Sequence, residues 1–176
     1  QRSGRGVLQA MDEYPKPLIA AVNGPAYGAG LNMVVLSDIV IASREASFCF
    51  PMARLGIIPA YSGASRLALF VGKAKASEMA LMGKAIDGED AGRWGLANKV
   101  VSSEELLDEA MAWAIDITGV APISARLIKE DLREGWNHHM DISANRLRFM
   151  ASQLTSDSEE GHRAWREKRS PEFRGR

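Results

Sequence analysis

Residues 27–30, Tyr-Gly-Ala-Gly, join one apolar stretch, LIAAV, to another, LNMVVL. The chemistry available there belongs to the backbone. Glycines at 28 and 30 let main-chain N–H groups approach a ligand with no side chain in the way. The first turn of a following helix leaves its own N–H groups unpaired, and the helix dipole favours negative charge beside them. A strand–glycine–helix junction of this kind suits polarising a carbonyl oxygen. Gly28 and Gly30 serve equally well for close packing of helix on strand, and the residues alone leave the two readings level.

Few side chains offer rival chemistry. Cys49, between Phe48 and Phe50 on a short expected strand, reads as a small buried apolar residue. His138 and His139 are adjacent and cannot hold one metal from one helix face. His162 falls in a basic terminal segment, and no pair of Cys, His or Asp has zinc spacing, so no metal is expected. Ser62 lacks a G-x-S-x-G elbow, which argues against a serine hydrolase. Asp38 fits a structural role at a helix-to-strand turn.

The chain is 176 residues long and 46% hydrophobic, enough for one sizeable core. Its 22 basic residues balance 22 acidic ones, so no net field draws in nucleic acid or anionic lipid. The single cysteine excludes an internal disulfide and fits a reducing compartment; the expectation is cytoplasmic, or the mitochondrial matrix in a eukaryote. The longest uncharged stretch, residues 17–37, contains Asn23-Gly24-Pro25 and Gly28-Ala29-Gly30. It reads as strand, turn and helix, not a membrane span. The sequence does not begin with Met, so an N-terminal address can lie outside it.

The elements that must position the junction follow from periodicity. A first helix presents Val7, Leu8 and Met11 on one face and stops before Pro15. Residues 18–22 form a continuous apolar run, expected as a strand buried on both faces. A second helix runs from near Gly28 to before Asp38, with strands at 38–42 and 46–50 after it, the latter ended by Pro51. Ser62 or Ser65 caps a helix reaching Leu69, and residues 73–82 form another that ends at Gly83. Asp87 is the N-cap of a short helix terminated by Gly95, and residues 98–101 return as strand. Ser103 then caps a helix with Leu106, Leu107, Ala110, Met111 and Ala114 inward, and Pro122 opens the next. Alternating strands and helices give way to helices alone near Thr118, so residues 1–118 and 119–176 are expected as core and helical region.

Six motifs in order carry a resemblance: KPLIAAVNGPAYGAG, SDIVIAS, LGIIPAYSGASRL, EMALMGKAI, DAGRWGLANKVV and DSEEGHRAWREKRSPEF. Together they resemble the C-terminal part of the crotonase superfamily, the enoyl-CoA hydratase/isomerase group. The resemblance implies an α/β spiral of ββα turns followed by a C-terminal helical trimerisation region. It implies acyl-CoA thioester ligands whose carbonyl sits between two backbone N–H groups, with coenzyme A carried by the substrate and no separate cofactor. Carried over, one of those N–H groups belongs to Ala29, where the family usually has glycine. The other belongs to a segment upstream of this sequence, which therefore resembles part of a longer protein.

The family's two catalytic glutamates map to Asn32 and Met52, and a third acid position used by some isomerases maps to Ala60. None of these transfers a proton. The resemblance thus implies an acyl-CoA binder in which glutamate-driven hydration is not expected. Enolate chemistry such as decarboxylation or isomerisation stays open, and so does a non-catalytic binder or scaffold. Tyr61 and Ser62, in the loop that lines the family's acyl pocket, are the nearest polar substitutes, although Tyr61 also reads as a packing residue. Asn32 can orient a water or a substrate carboxylate. In the tail, Lys168 and Phe173 match positions that reach toward coenzyme A, while a solvated basic helix end explains the same residues. The apolar residues of the last helices, from Leu106 to Leu154, suggest a homotrimer or a dimer of trimers.

Overall fold

The computed structural model describes residues 3–137, 147, 149–151 and 153–174. Helix α1 (Ser3–Asp12) leads through Pro15 and Pro17 into β1 (Ile19–Val22), and β2 (Pro25–Tyr27) follows two residues later. Helix α2 (Ala29–Val35) returns the chain to β3 (Ile39–Ser43) and β4 (Ser47–Cys49), and a 3-10 helix (Met52–Leu55) precedes α3 (Gly63–Met82). The next pass runs β5 (Ile86–Asp87), α4 (Gly88–Arg93) and β6 (Lys99–Val101). Strands β1, β3 and β6 form one parallel sheet; β2, β4 and β5 form a second, in which β5 runs antiparallel to β4. The first two passes therefore each place a strand in the first sheet, a strand in the second, and a helix. This is the expected α/β spiral.

The core lies between the sheets and the helices, with Leu31, Val35, Val40, Phe48, Phe50 and Leu67 fully enclosed. Burial on this scale, at about 1.5–3 kcal/mol for each large side chain, outweighs the weak propensity of such short strands. Helix α3 breaks at Gly72 (φ 73°, ψ 159°), so it is two helices, as the sequence suggests, and Gly83 (φ 60°) ends the second. Ser62 is its N-cap residue, without a side-chain cap bond. Asp87 does cap α4, its carboxylate accepting from Asp90 N at 2.8 Å. Asp38 is structural: one carboxylate oxygen accepts from Leu18 N at 2.6 Å and from Lys129 Nζ at 2.7 Å.

Several expectations fail for physical reasons. Strand β1 is not buried on both faces: Val22 points into the core while Ala21, on the opposite face, is exposed. Val7 is exposed beside buried Leu8. Ser103 is not the cap of α5 (Leu106–Thr118); its hydroxyl donates to the Glu45 carboxylate at 2.6 Å, and the helix starts after Glu105. That bond holds the Glu45 carboxyl below its usual range. On α5 only Leu106 reaches the core, packing on Ile41 and Val101 with Ala110 and Trp113 alongside. Leu107 and Met111 face outward. Helix α6 (Pro122–Asn137) begins at Pro122 as expected. His138 and His139 lie outside the described residues. Helix α7 (Ser156–Glu167), capped by Thr155, packs against the 3-10 helix. Among the described residues no single helix is long and apolar enough to cross a membrane.

Candidate functional site

Gly28 is the N-cap residue of α2 and has φ 57° and ψ −111°. Those angles are the first central position of a type II′ turn, which glycine adopts without steric strain. The conformation reverses the peptide between Gly28 and Ala29 relative to an ordinary helix entry. Gly28 N donates to Cys49 O at 2.9 Å, while among the described residues the Ala29 N–H has no partner. Ala29 is exposed and is the first residue of α2, outside the left-handed region. Alanine in place of the family's glycine thus imposes no backbone strain here. The close-packing explanation fares differently at the two glycines. A Cβ at Gly30 would make an ordinary 3.8 Å contact with Ala26, so space does not demand glycine there; at Gly28 the positive φ does, and the flexible tip of Met52 would lie 3.3 Å from a Cβ.

The same contact puts Met52 beside the junction. Pro51 and the 3-10 helix carry Met52 back toward Gly28, where its thioether tip lies against the glycine. Asn32 sits one turn along α2 from Ala29 and is 2% exposed. Its Oδ1 rests against Gly63, close enough that a Cβ at residue 63 would collide with it, and would also lie 3.0 Å from Phe50 Cζ. Among the described residues Asn32 Oδ1 has no hydrogen-bond partner. Gly28, Ala29, Asn32 and Met52 therefore form one cluster. Its wall is completed by Gly63 and the turn before it.

That turn is strained. Tyr61 (φ 51°) and Ser62 (φ 55°) are consecutive non-glycine residues in the left-handed region, a conformation worth about 1–3 kcal/mol of strain each. Arg66 holds it. Only 3% exposed, Arg66 donates from Nε to Tyr61 O at 3.2 Å and from a terminal nitrogen to Asp12 Oδ1 at 2.8 Å. The sequence reading missed Arg66. Its signal was a single charge on an otherwise apolar helical face, between Gly63 and Leu67. Tyr61 and Ala60 are half-buried along this loop.

Lys168 and Phe173 lie apart from the cluster. Lys168 is the exposed, left-handed C-cap of α7 (φ 54°), and Phe173 is exposed in the segment that folds back along the helix. Glu160 organises this segment. Its carboxylate accepts from Arg163, from Arg169 at 2.6 Å and from Glu172 N at 3.0 Å. Arg169 and Arg163 beside it hold the Glu160 carboxyl well below the usual carboxylate range. His162 is occupied locally, its Nδ1 2.7 Å from Ser158 O. Cys49 is buried, and burial pushes its thiol up. Among the described residues no group of three or more His, Cys, Asp or Glu could hold a metal ion.

The family model described as enoyl-CoA hydratase/isomerase matches residues 1–176. A carnitinyl-CoA dehydratase of Proteus mirabilis (strain HI4320) is 38% identical over 178 residues, covering 96% of this chain and 67% of that protein. The chain thus spans about two thirds of the length of the curated relatives it matches. Among solved structures, an enoyl-CoA hydratase/isomerase from Pseudoalteromonas atlantica T6c superposes with a TM-score of 0.84 at 32% identity, over 95% of this chain and 68% of that one. A methylmalonyl-CoA decarboxylase superposes with a TM-score of 0.87 at 29% identity, over 98% of this chain and 69% of that one. With a glycine-built turn presenting an unpaired N–H at a helix start, inside a spiral of this topology, the chain belongs to the enoyl-CoA hydratase/isomerase family of the crotonase superfamily.

Proposed function

We propose that this protein binds an acyl-CoA thioester with the thioester oxygen on the Ala29 N–H, and acts on it by enolate chemistry that uses no glutamate pair. The observation that carries the proposal is the reversed Gly28–Ala29 peptide, whose N–H is unpaired, set beside Asn32 and Met52 where the family's acids would stand. Such a donor is worth about 3–4 kcal/mol to a developing oxyanion. Decarboxylation of a malonyl-type thioester fits these parts. The bond from the α-carbon to the carboxylate breaks, carbon dioxide leaves, and the electron pair moves into the thioester as an enolate held at Ala29. A proton from water then returns to the α-carbon. The first step needs no general base, and apolar neighbours such as Met52 and Phe50 disfavour the starting carboxylate. Tyr61 is the hydroxyl in this loop that could meet the carboxylate. The decarboxylase named above supports the reading by its fold likeness.

Calorimetry with acetoacetyl-CoA and free CoA tests the carbonyl contact. We expect acetoacetyl-CoA to bind more tightly, and Ala29→Pro, which removes the N–H, to bring it toward the affinity of free CoA. Equal affinity of the native protein for both would remove the oxyanion argument. A second reading, a binder that has lost catalysis, is favoured by Asn32, Met52 and Ala60 together. Turnover of malonyl-type thioesters separates it from the first.

Lys168 and Phe173 are proposed contacts to coenzyme A, as a point charge for phosphate and an aromatic cover for adenine. A cytoplasmic setting is proposed from the lone buried Cys49. Residues 119–176, with the outer face of α5, are proposed to assemble a homotrimer or a dimer of trimers. Leu107, Met111, Ile123, Leu127, Ile128 and Leu154 are all exposed, while Leu106 belongs to the chain's own core. An apolar face of this size marks an interface, and a closed ring uses the same patch on every copy. Light scattering at micromolar concentration should give three or six copies, and Ile123→Glu with Leu127→Glu should give smaller species. A soluble native monomer would overturn the assembly.

A further inference from the structure

The buried side-chain oxygen of Asn32, Oδ1, accepts no hydrogen bond among the described residues. Among the described residues, the buried side-chain atoms without a partner are Asn32 Oδ1, Ser43 Oγ and Arg133 Nε. Ser43 lies at the end of β3 beneath Gly88, and Arg133 belongs to the ion-pair cluster around Asp12, where its Nη1 donates to Asp12 O at 3.1 Å. Asn32 alone of the three stands at the candidate site. It is the fourth residue of α2, three after Ala29, so it occupies the same helix face about 4.5 Å along the axis. Its Oδ1 faces Gly63, where a Cβ would lie 2.1 Å from it and 3.0 Å from Phe50 Cζ. A buried amide oxygen left unpaired is destabilising to the free protein, and leucine, with the same branched skeleton and no polar atom, would avoid that penalty.

We infer that Asn32 is a specificity-determining residue, its carboxamide reading an oxygen substituent at the α- or β-carbon of the acyl group. The inference rests on the thioester placement proposed above. With the carbonyl oxygen at Ala29, one helical turn is the separation between that oxygen and a group one or two bonds further along the acyl chain. A neutral amide can donate to a carboxylate or oxo oxygen and accept from a hydroxyl. The substrate class is therefore an oxygenated acyl-CoA, not a hydrocarbon acyl-CoA of the same length.

The test compares butyryl-CoA, 3-hydroxybutyryl-CoA, malonyl-CoA and free CoA by calorimetry on the native protein, which needs no variant to fold. At least one oxygenated ligand is expected to bind about tenfold more tightly than butyryl-CoA, the scale of one net hydrogen bond. Asn32→Leu should abolish that ratio, leave butyryl-CoA binding in place and keep the melting temperature at or above the native value. A purely structural amide would instead lower the melting temperature and leave the ratio intact. If butyryl-CoA binds more tightly than free CoA yet no less tightly than the oxygenated ligands, the inference about Asn32 is overturned and the thioester placement stands. If butyryl-CoA and free CoA bind alike while an oxygenated ligand binds tightly, the thioester placement fails and the reading of Asn32 that rests on it fails too. Equal binding by all four overturns both.

Discussion

Crotonyl-CoA should be hydrated by this protein at least about 10²-fold more slowly than by family members that carry the two acids, since one general acid or base contributes about 10²–10⁴-fold. The structure gives a reason beyond the identity of the two residues. Met52 lies with its thioether tip at Gly28, and Asn32 Oδ1 lies against Gly63. Two carboxylates on the neighbouring elements are already engaged: Asp12 with Arg66 at 2.8 Å, and Asp157, whose backbone lies against Gly56, as acceptor from Arg174 N at 2.7 Å. Met52→Glu is close in length to the native side chain and should place a carboxylate beside the junction. Asn32→Glu must push one more methylene toward Gly63, so the double variant should gain less than two independent acids would. A spectrophotometric assay of crotonyl-CoA loss, comparing native, M52E and N32E/M52E proteins, reads these differences. Native hydration at ordinary family rates would mean that the proton is moved by a residue outside this cluster.

Much of the frame was legible because local signals and the fold agree. Asp87 caps α4, Gly83 ends α3, and the apolar run after Gly28 becomes α2. The misses share a cause. Strand β2 is three residues long and exists only because Pro25–Tyr27 meets Ser47–Cys49, twenty-two residues away, so a local reading sees a turn. On α5, Leu106 and Ala110 face the core as expected, whereas Leu107 and Met111 do not, because the helix carries more apolar residues than one side of the core covers and periodicity alone cannot set the width of the inner stripe. In the candidate site, the glycine junction was legible from residue type alone. The convergence of Met52 on Gly28, and of Asn32 on Gly63, depends on contacts between residues twenty-four and thirty-one positions apart. Arg66 escaped notice because its partners, Asp12 and the Tyr61 carbonyl, come together only once α1 meets the strained turn.

Gly161→Ala should have the largest effect on stability of any single methyl group added to this chain's tail. Helix α7 and the 3-10 helix touch through backbone. A Cβ at Gly161 would lie 2.5 Å from Leu55 C, and one at Gly56, whose φ is 71°, would lie 2.5 Å from Asp157 O. Each glycine faces the other segment's main chain, so no side chain can rotate away to make room. Overpacking of this kind costs about 1–3 kcal/mol or more. At about 2–4 °C per kcal/mol for a domain of this size, the melting temperature should fall by about 2–12 °C. The 3-10 helix carries Met52, so displacing α7 should also weaken acetoacetyl-CoA binding although residue 161 is remote from Ala29. Arg166→Ala, at an exposed position on the same helix, should do neither. Acid should mimic the glycine variant. Because the Glu160 carboxyl is held below its usual range, its contribution is complete above the pKa of the unfolded chain and is lost as pH falls through the depressed folded value. A melting temperature unchanged in Gly161→Ala would show that α7 does not rest on the 3-10 helix in solution, and the path from the tail to Met52 would be gone.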